Sequence, residues 1–231
     1  MRRIFACLLI LGFLTLPAKA ADSKKYVALT FDDGPSGRYT QTLLDGLAFR
    51  GVKCTFLLCG YRMKQYPEIT QRIFDEGHEI GYHGFTHASM QEMSRRKIGQ
   101  ELIDSQALLP EDCDPVFFRP PGGIVTDGIR QVAQVRQLAL LSWSVDPKDW
   151  ATNQTGSIEK AVLKNIKDGD IVLLHDMTMS SVQAALDIVD VLQKQGYRFV
   201  TVSEMAQLRK VRIKPGEIYK CFPSKTETDL K

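Results

Sequence analysis

The chain has 231 residues, 44% of them hydrophobic and 25% charged, proportions that exclude a disordered, collagen-like or low-complexity protein. Its formal charge is +3, from 30 basic against 27 acidic residues. That surplus sits in residues 1–20, which carry Arg2, Arg3 and Lys19 and no acid, so the remainder is neutral and offers no bulk attraction to nucleic acid.

Residues 1–20 begin with the two arginines, run apolar from Ile4 to Leu16, break at Pro17 and end in Ala18-Lys19-Ala20. This is the layout of a secretory signal peptide cleaved after Ala20 and too short for a comfortable bilayer span, an uncleaved anchor being the alternative. An exported protein is expected, secreted or associated with the cell wall, with no stable membrane insertion after cleavage and a monomer as default. Cys54, Cys59, Cys113 and Cys221 remain after cleavage. Cys54 and Cys59 share one apolar run and point to opposite faces of an extended strand, so the bridge expected in an oxidising compartment is Cys113–Cys221.

From residue 24 to 209 the chain alternates apolar strand-like runs with amphipathic helix-like ones. Strands are predicted at Tyr26–Asp32, Cys54–Cys59, Glu79–His83, Val116–Arg119, Leu138–Val145, Asp170–His175 and Tyr197–Val202, several of them near-continuously apolar, as strands buried on both faces of a parallel sheet are. Between the first two, Thr40 is the predicted cap of a helix carrying Leu43, Leu44 and Leu47 before Gly51. Near the end, Ser180 with Gln183 suggests a capping box, followed by Val182, Ala185, Leu186 and Val189 and a stop at Gly196. The alternation predicts a single α/β domain, either a small barrel or an open doubly wound sheet. Residues 210–231 turn polar and basic and read as a surface tail.

Chemistry-bearing residues collect where the predicted strands end. The first strand runs into Asp32-Asp33-Gly34-Pro35, two carboxylates that are costly to bury without a positive partner. The third runs into His83-Gly84-Phe85-Thr86-His87. Two imidazoles at i and i+4, with a carboxylate, can hold a tetrahedral zinc ion with one position open, whereas a zincin protease needs Glu where Gly84 stands. The fourth ends in Arg119-Pro120-Pro121-Gly122-Gly123, and an arginine at a buried strand end wants a carboxylate, with Asp32 and Asp149 available. Asp146-Pro147-Lys148-Asp149-Trp150 follows the fifth strand, and Leu173-Leu174-His175-Asp176 closes the sixth. In a parallel α/β architecture these ends lie on one face, where active sites are built. His78 lies at the opposite end of its strand and reads as structural.

In order and spacing, Thr30–Pro35, His83–His87, Arg119–Gly123, Asp146–Trp150 and Leu173–His175 resemble the five motifs of the polysaccharide deacetylase family, the NodB-homology domain of carbohydrate esterase family four. The resemblance covers most of Tyr26 to Met205 and implies a distorted (β/α)7 barrel, TIM-barrel-like, that removes acetyl groups from a glycan with the help of a metal. It implies Asp33, His83 and His87 as metal ligands, Asp32 as the base acting on metal-activated water, Arg119 as the residue holding that base, His175 as the acid, and Asp149 as the carboxylate tuning it. Gly122 is implied as a backbone oxyanion donor, with Trp150 and Leu173 as walls around the acetyl methyl. The expected metal is zinc, with cobalt able to occupy the same donor set.

Three positions depart from the family pattern: Gly122 replaces an aromatic residue, Gly84 a serine or threonine that braces the loop, and Tyr82 an asparagine. The function expected on this basis is N-deacetylation of an N-acetylglucosamine-type polysaccharide, peptidoglycan ahead of chitin-like chains. O-acetyl xylan esterase is the alternative with the same site, and a non-catalytic glycan-binding protein the alternative of another class.

Overall fold

A computed structural model describes residues 24–224; the expected signal peptide lies outside them. Among the described residues no helix is long and apolar enough to cross a membrane.

Among the described residues are eight strands and eight α-helices, alternating except that α2 and α3 follow one another. The strands are β1 (Lys25–Asp32), β2 (Thr55–Leu58), β3 (Glu79–Tyr82), β4 (Phe117–Phe118), β5 (Ala139–Leu141), β6 (Asp170–His175), β7 (Tyr197–Phe199) and β8 (Ile218–Tyr219). The helices are α1 (Arg38–Arg50), α2 (Gly60–Gln65), α3 (Pro67–Asp75), α4 (Arg95–Gln106), α5 (Asp127–Val135), α6 (Thr155–Asn165), α7 (Met179–Lys194) and α8 (Val202–Leu208). All strand pairs are parallel, in the order β6-β1-β2-β3-β4-β5-β8, with β7 on the first residues of β1. Single bridges from Val145 to Val172 and from Cys221 to Asp170 bring the far edge round to β6, which curls the sheet into the expected distorted barrel.

The two-residue period of a strand decides which side chains enter the barrel. Val27, Leu29 and Phe31 of β1, with Val172 and Leu174 of β6, belong to the core under the outer helices, packing with residues of α1 and α7 such as Leu43, Leu47, Val182 and Val189. The alternate positions Ala28, Leu57, Phe117, Leu141 and Ile171 fill the interior together with Met205 and Phe222. Carried forward two residues at a time, that inward phase arrives at Asp32, Arg119, Trp143, Leu173 and His175. The apolar plug ends and the polar mouth begins within the same strands.

Four local expectations need correction. The cap of α1 is Gly37, not Thr40; the Thr40 hydroxyl instead accepts the Ser36 N–H at 2.7 Å and donates to the Asp176 carboxylate. The cap of α7 is Thr178, whose side chain accepts from the Ser181 N–H, so Ser180 lies inside the helix. Part of the expected surface tail returns to the sheet: β8 pairs with β5, and Phe222 is buried, because Tyr219 and Phe222 supply apolar surface that the barrel interior can cover. The four cysteines among the described residues are free. Cys113 precedes β4, whereas Cys221 sits against Asp170 of β6, three strands further round the sheet, so the bridge between them does not form. His78 is structural as expected, buried and accepting the Cys54 N–H at 3.1 Å.

Candidate active site

The mouth of the barrel encloses a cavity of about 370 Å³. All the expected site residues line it except Arg119 and Asp149, which stand behind it, and Gly123, Trp143 and Asp146 complete its wall. A larger groove of about 550 Å³ between α4 and α5 is lined by Arg95, Arg136 and Val135 among others; it gathers no carboxylates or imidazoles, so the chemistry lies at the mouth.

Arg119 is fully buried, and its environment accounts for its charge. Its Nη1 donates to Asp32 Oδ1 at 2.5 Å and to Thr30 Oγ1 at 3.0 Å, Nη2 to the Ser142 carbonyl at 2.9 Å, and Nε to the Leu141 carbonyl at 3.3 Å. The Trp143 ring lies over the guanidinium at 5.5 Å. Of the two carboxylates available to this arginine, Asp32 is the partner. Asp149 faces His175, taking its ring Nδ1–H at 2.8 Å and its backbone N–H at 2.8 Å. Burial opposes protonation of His175, but the hydrogen bond and charge of Asp149, with Asp32 and Asp33 further away, outweigh it and raise the imidazole from 6.5 to about 9.

Asp33, His83 and His87 offer ligand atoms that all lie within 4.8 Å of one another. The two Nε2 atoms approach Asp33 Oδ1 at 3.2 and 3.0 Å, yet this buried oxygen takes no hydrogen bond. His83 Nδ1 is 2.7 Å from the Arg119 carbonyl oxygen. A carbonyl only accepts, so Nδ1 carries the proton and Nε2 is left with its lone pair toward Asp33, the tautomer a metal-ligating histidine requires. A buried acceptor without a donor, faced by two imidazole nitrogens, fits a divalent cation better than a hydrogen-bonded cluster. Asp33 and His87 both hold positive φ, 73° and 62°, a conformation uncommon for non-glycine residues that Asp and His tolerate better than most.

Three residues at or beside the site were missed from sequence. Trp143 sits in the inward phase beyond β5, and its ring would collide with a Cβ at Gly123. The Asp176 carboxylate lies against Gly34, within 2.7 Å of where a Cβ would be, and burial raises it to about 6. Glu101 of α4, only 1% exposed, accepts hydrogen bonds from the Phe85 and Thr86 backbone and the Thr86 hydroxyl. Inward phase could have marked Trp143; Asp176 stands in the strand-end run Leu173–Asp176 but was given no role, and nothing local marks Glu101. At Gly122, φ is 73° and a side chain would meet open space. A second cavity of about 260 Å³, lined by His87, Ser89, Gln91, Pro121 and Gly122, therefore adjoins the mouth at that glycine.

A curled parallel barrel with paired acid and base candidates around a three-residue ligand set defines a hydrolase site. The polysaccharide deacetylase family model matches residues 19–140. The chain is 39% identical over 204 residues to a peptidoglycan-N-acetylglucosamine deacetylase of Bacillus cereus, covering 86% of this chain and 95% of that protein. It is 34% identical to the peptidoglycan-N-acetylmuramic acid deacetylase PdaC of Bacillus subtilis, over 82% of this chain and 40% of that longer protein. Among solved structures it resembles a family 4 acetyl xylan esterase from Clostridium thermocellum in complex with a cobalt ion, with a TM-score of 0.79, 32% identity, and coverage of 86% of this chain and all of that one. The chain belongs to the polysaccharide deacetylase family and is an enzyme of that hydrolase class.

Proposed function

We propose that this chain is an exported, metal-dependent N-deacetylase of N-acetylglucosamine-type polysaccharide, with peptidoglycan as the favoured substrate and chitin-like chains next. The observation that carries this reading is the pairing at the mouth: a carboxylate held by a buried arginine and an imidazole held by a buried carboxylate face one cavity with Asp33, His83 and His87. Those three would hold the cation, and a histidine–histidine–carboxylate set favours zinc. A divalent ion there supplies Lewis-acid polarisation of the acetyl carbonyl and acidifies water.

Asp32 acts as base. Arg119 occupies its Oδ1, leaving Oδ2 to take the proton from the water whose oxygen adds to the acetyl carbon. The Gly122 backbone N–H serves the oxyanion of the tetrahedral intermediate, and Trp150 and Leu173 flank the acetyl methyl. His175, protonated and oriented by Asp149, gives its Nε2 proton to the nitrogen as the C–N bond breaks, so acetate and a free amine result. The open wall at Gly122 and the second cavity beside it favour a polymer lying across the mouth over a small closed-in substrate. Export rests on the signal-like residues 1–20.

Amine release from N-acetylglucosamine oligomers and from peptidoglycan tests the reading. Activity is expected on both, lost on removal of the metal with a chelator and restored by Zn²⁺ or Co²⁺. The resemblance to an acetyl xylan esterase carries a second reading with the same residues, because an alkoxide leaves more easily than an amine. Acetate release from acetylated xylan alone would select it and overturn the first.

The raised imidazole adds a pH prediction. Because His175 is lifted above 6.5, its protonated form and the stability that form contributes are fully present below about 6.5 and are lost as pH rises through about 9. In metal-free protein, NMR titration of the His175 ring is expected near 9, falling toward the ordinary imidazole value in Asp149→Asn. The alkaline limb of kcat/KM is expected to move to lower pH with it, and an unmoved limb would remove His175 from the acid role.

A further inference from the structure

We propose that Glu101 is a positioning residue that holds His87 in place for metal binding by clamping the loop between the two candidate histidine ligands. The inference rests on the metal reading of Asp33, His83 and His87.

The two histidines are held very differently. His83 is fixed by its N–H to the Leu58 carbonyl at 2.9 Å and by its ring Nδ1 on the Arg119 carbonyl. The His87 side chain is 42% exposed and, among the described residues, its ring has no polar contact except Asp33. Its position therefore depends on the backbone that carries it. That backbone bears a cost at His87 itself, whose φ of 62° is unfavourable for a residue with a Cβ, while Gly84 supplies the other positive φ (79°) freely.

The loop is gripped from two sides. The Gly60 and Tyr61 N–H groups at the start of α2 donate to the Gly84 and Phe85 carbonyls, each at 2.9 Å. The N–H side is taken by one atom: Glu101 Oε2 accepts from Phe85 N at 2.9 Å, Thr86 N at 2.8 Å and Thr86 Oγ1 at 2.9 Å. Three donors on one oxygen suit a carboxylate, and Lys97 Nζ, 3.3 Å from Oε1, balances the charge. A side chain at 84 would meet Met90 at 2.7 Å.

Metal-free full-length protein titrated with Co²⁺, followed by the visible absorption of the bound ion, tests the inference without substrate. Outer-shell groups that orient a ligand are worth roughly 10–100-fold in metal affinity. Glu101→Gln is expected to weaken Co²⁺ binding by about that factor, and Thr86→Val, which removes one bond of the three, by a smaller one, with a changed absorption spectrum in both. Thermal unfolding of the metal-free proteins verifies that each variant is folded; should Glu101→Gln not fold, Thr86→Val carries the test. A folded variant with wild-type affinity and spectrum overturns the inference alone. A wild-type chain that binds no Co²⁺, indistinguishable from His87→Ala, overturns the metal reading with it.

Discussion

Asp32→Asn is expected to lower kcat/KM on acetylated glycan by about 10²- to 10⁴-fold, the range for removing a positioned general base. The substitution keeps an oxygen for Arg119 Nη1, which donates to Oδ1 at 2.5 Å, and replaces Oδ2 with an amide that cannot take a proton. The guanidinium also keeps Thr30, the two carbonyls and the Trp143 face, so the fold is expected to persist, verifiable by circular dichroism. The Co²⁺ titration should be nearly unchanged, because Asp33 and the histidines are untouched. A variant with wild-type turnover would refute the assignment of the base.

Arg119→Met is expected to produce the largest loss of stability, about 3–5 kcal/mol, because it leaves the Asp32 carboxylate buried without its counter-ion. Asp32 is 3% exposed and Arg119 is wholly enclosed, so water in the cavity that Asp32 lines can replace only part of the lost interactions. Against a typical total of about 5–15 kcal/mol, that is a large fraction, and urea denaturation monitored by tryptophan fluorescence measures it. The pair can be separated from simple packing. Adding Asp32→Asn to Arg119→Met removes the orphaned charge, so the double variant should be more stable than Arg119→Met alone. Arg119→Lys restores charge but lacks the planar fork that reaches Asp32, Thr30 and both carbonyls, so it should recover only part of the loss. A loss under about 1 kcal/mol for Arg119→Met would mean that the ion pair does not brace the mouth.

How far the site was legible in sequence follows from where its contacts lie. Strand β6 spans Asp170–His175 as predicted, because a continuous apolar run ending at a polar pair marks a strand buried on both faces. The caps of α1 and α7 were misplaced because a threonine or serine near a helix start is a weak positional signal. Thr40 faces the Asp176 carboxylate, across 136 residues of chain, and that partner outweighs the local role. The tail was misread for a similar reason: Lys and Arg recur along it, while the side chains that dock, Val211, Ile213, Tyr219 and Phe222, are few and set singly among polar residues.

By itself the sequence determined the strand–helix alternation and the five motif-bearing strand ends, which a parallel α/β sheet gathers on one face. These are local properties, set by backbone geometry and side-chain type. Only the tertiary structure decided which charges meet. Arg119 enters from β4 and reaches Asp32 on β1, while Asp149, the nearer carboxylate in sequence, is turned to His175 on β6. Glu101 joins the loop of His87 because α4 packs back beneath it. Charge pairing depends on distance and burial in space, and neither is encoded in spacing along the chain.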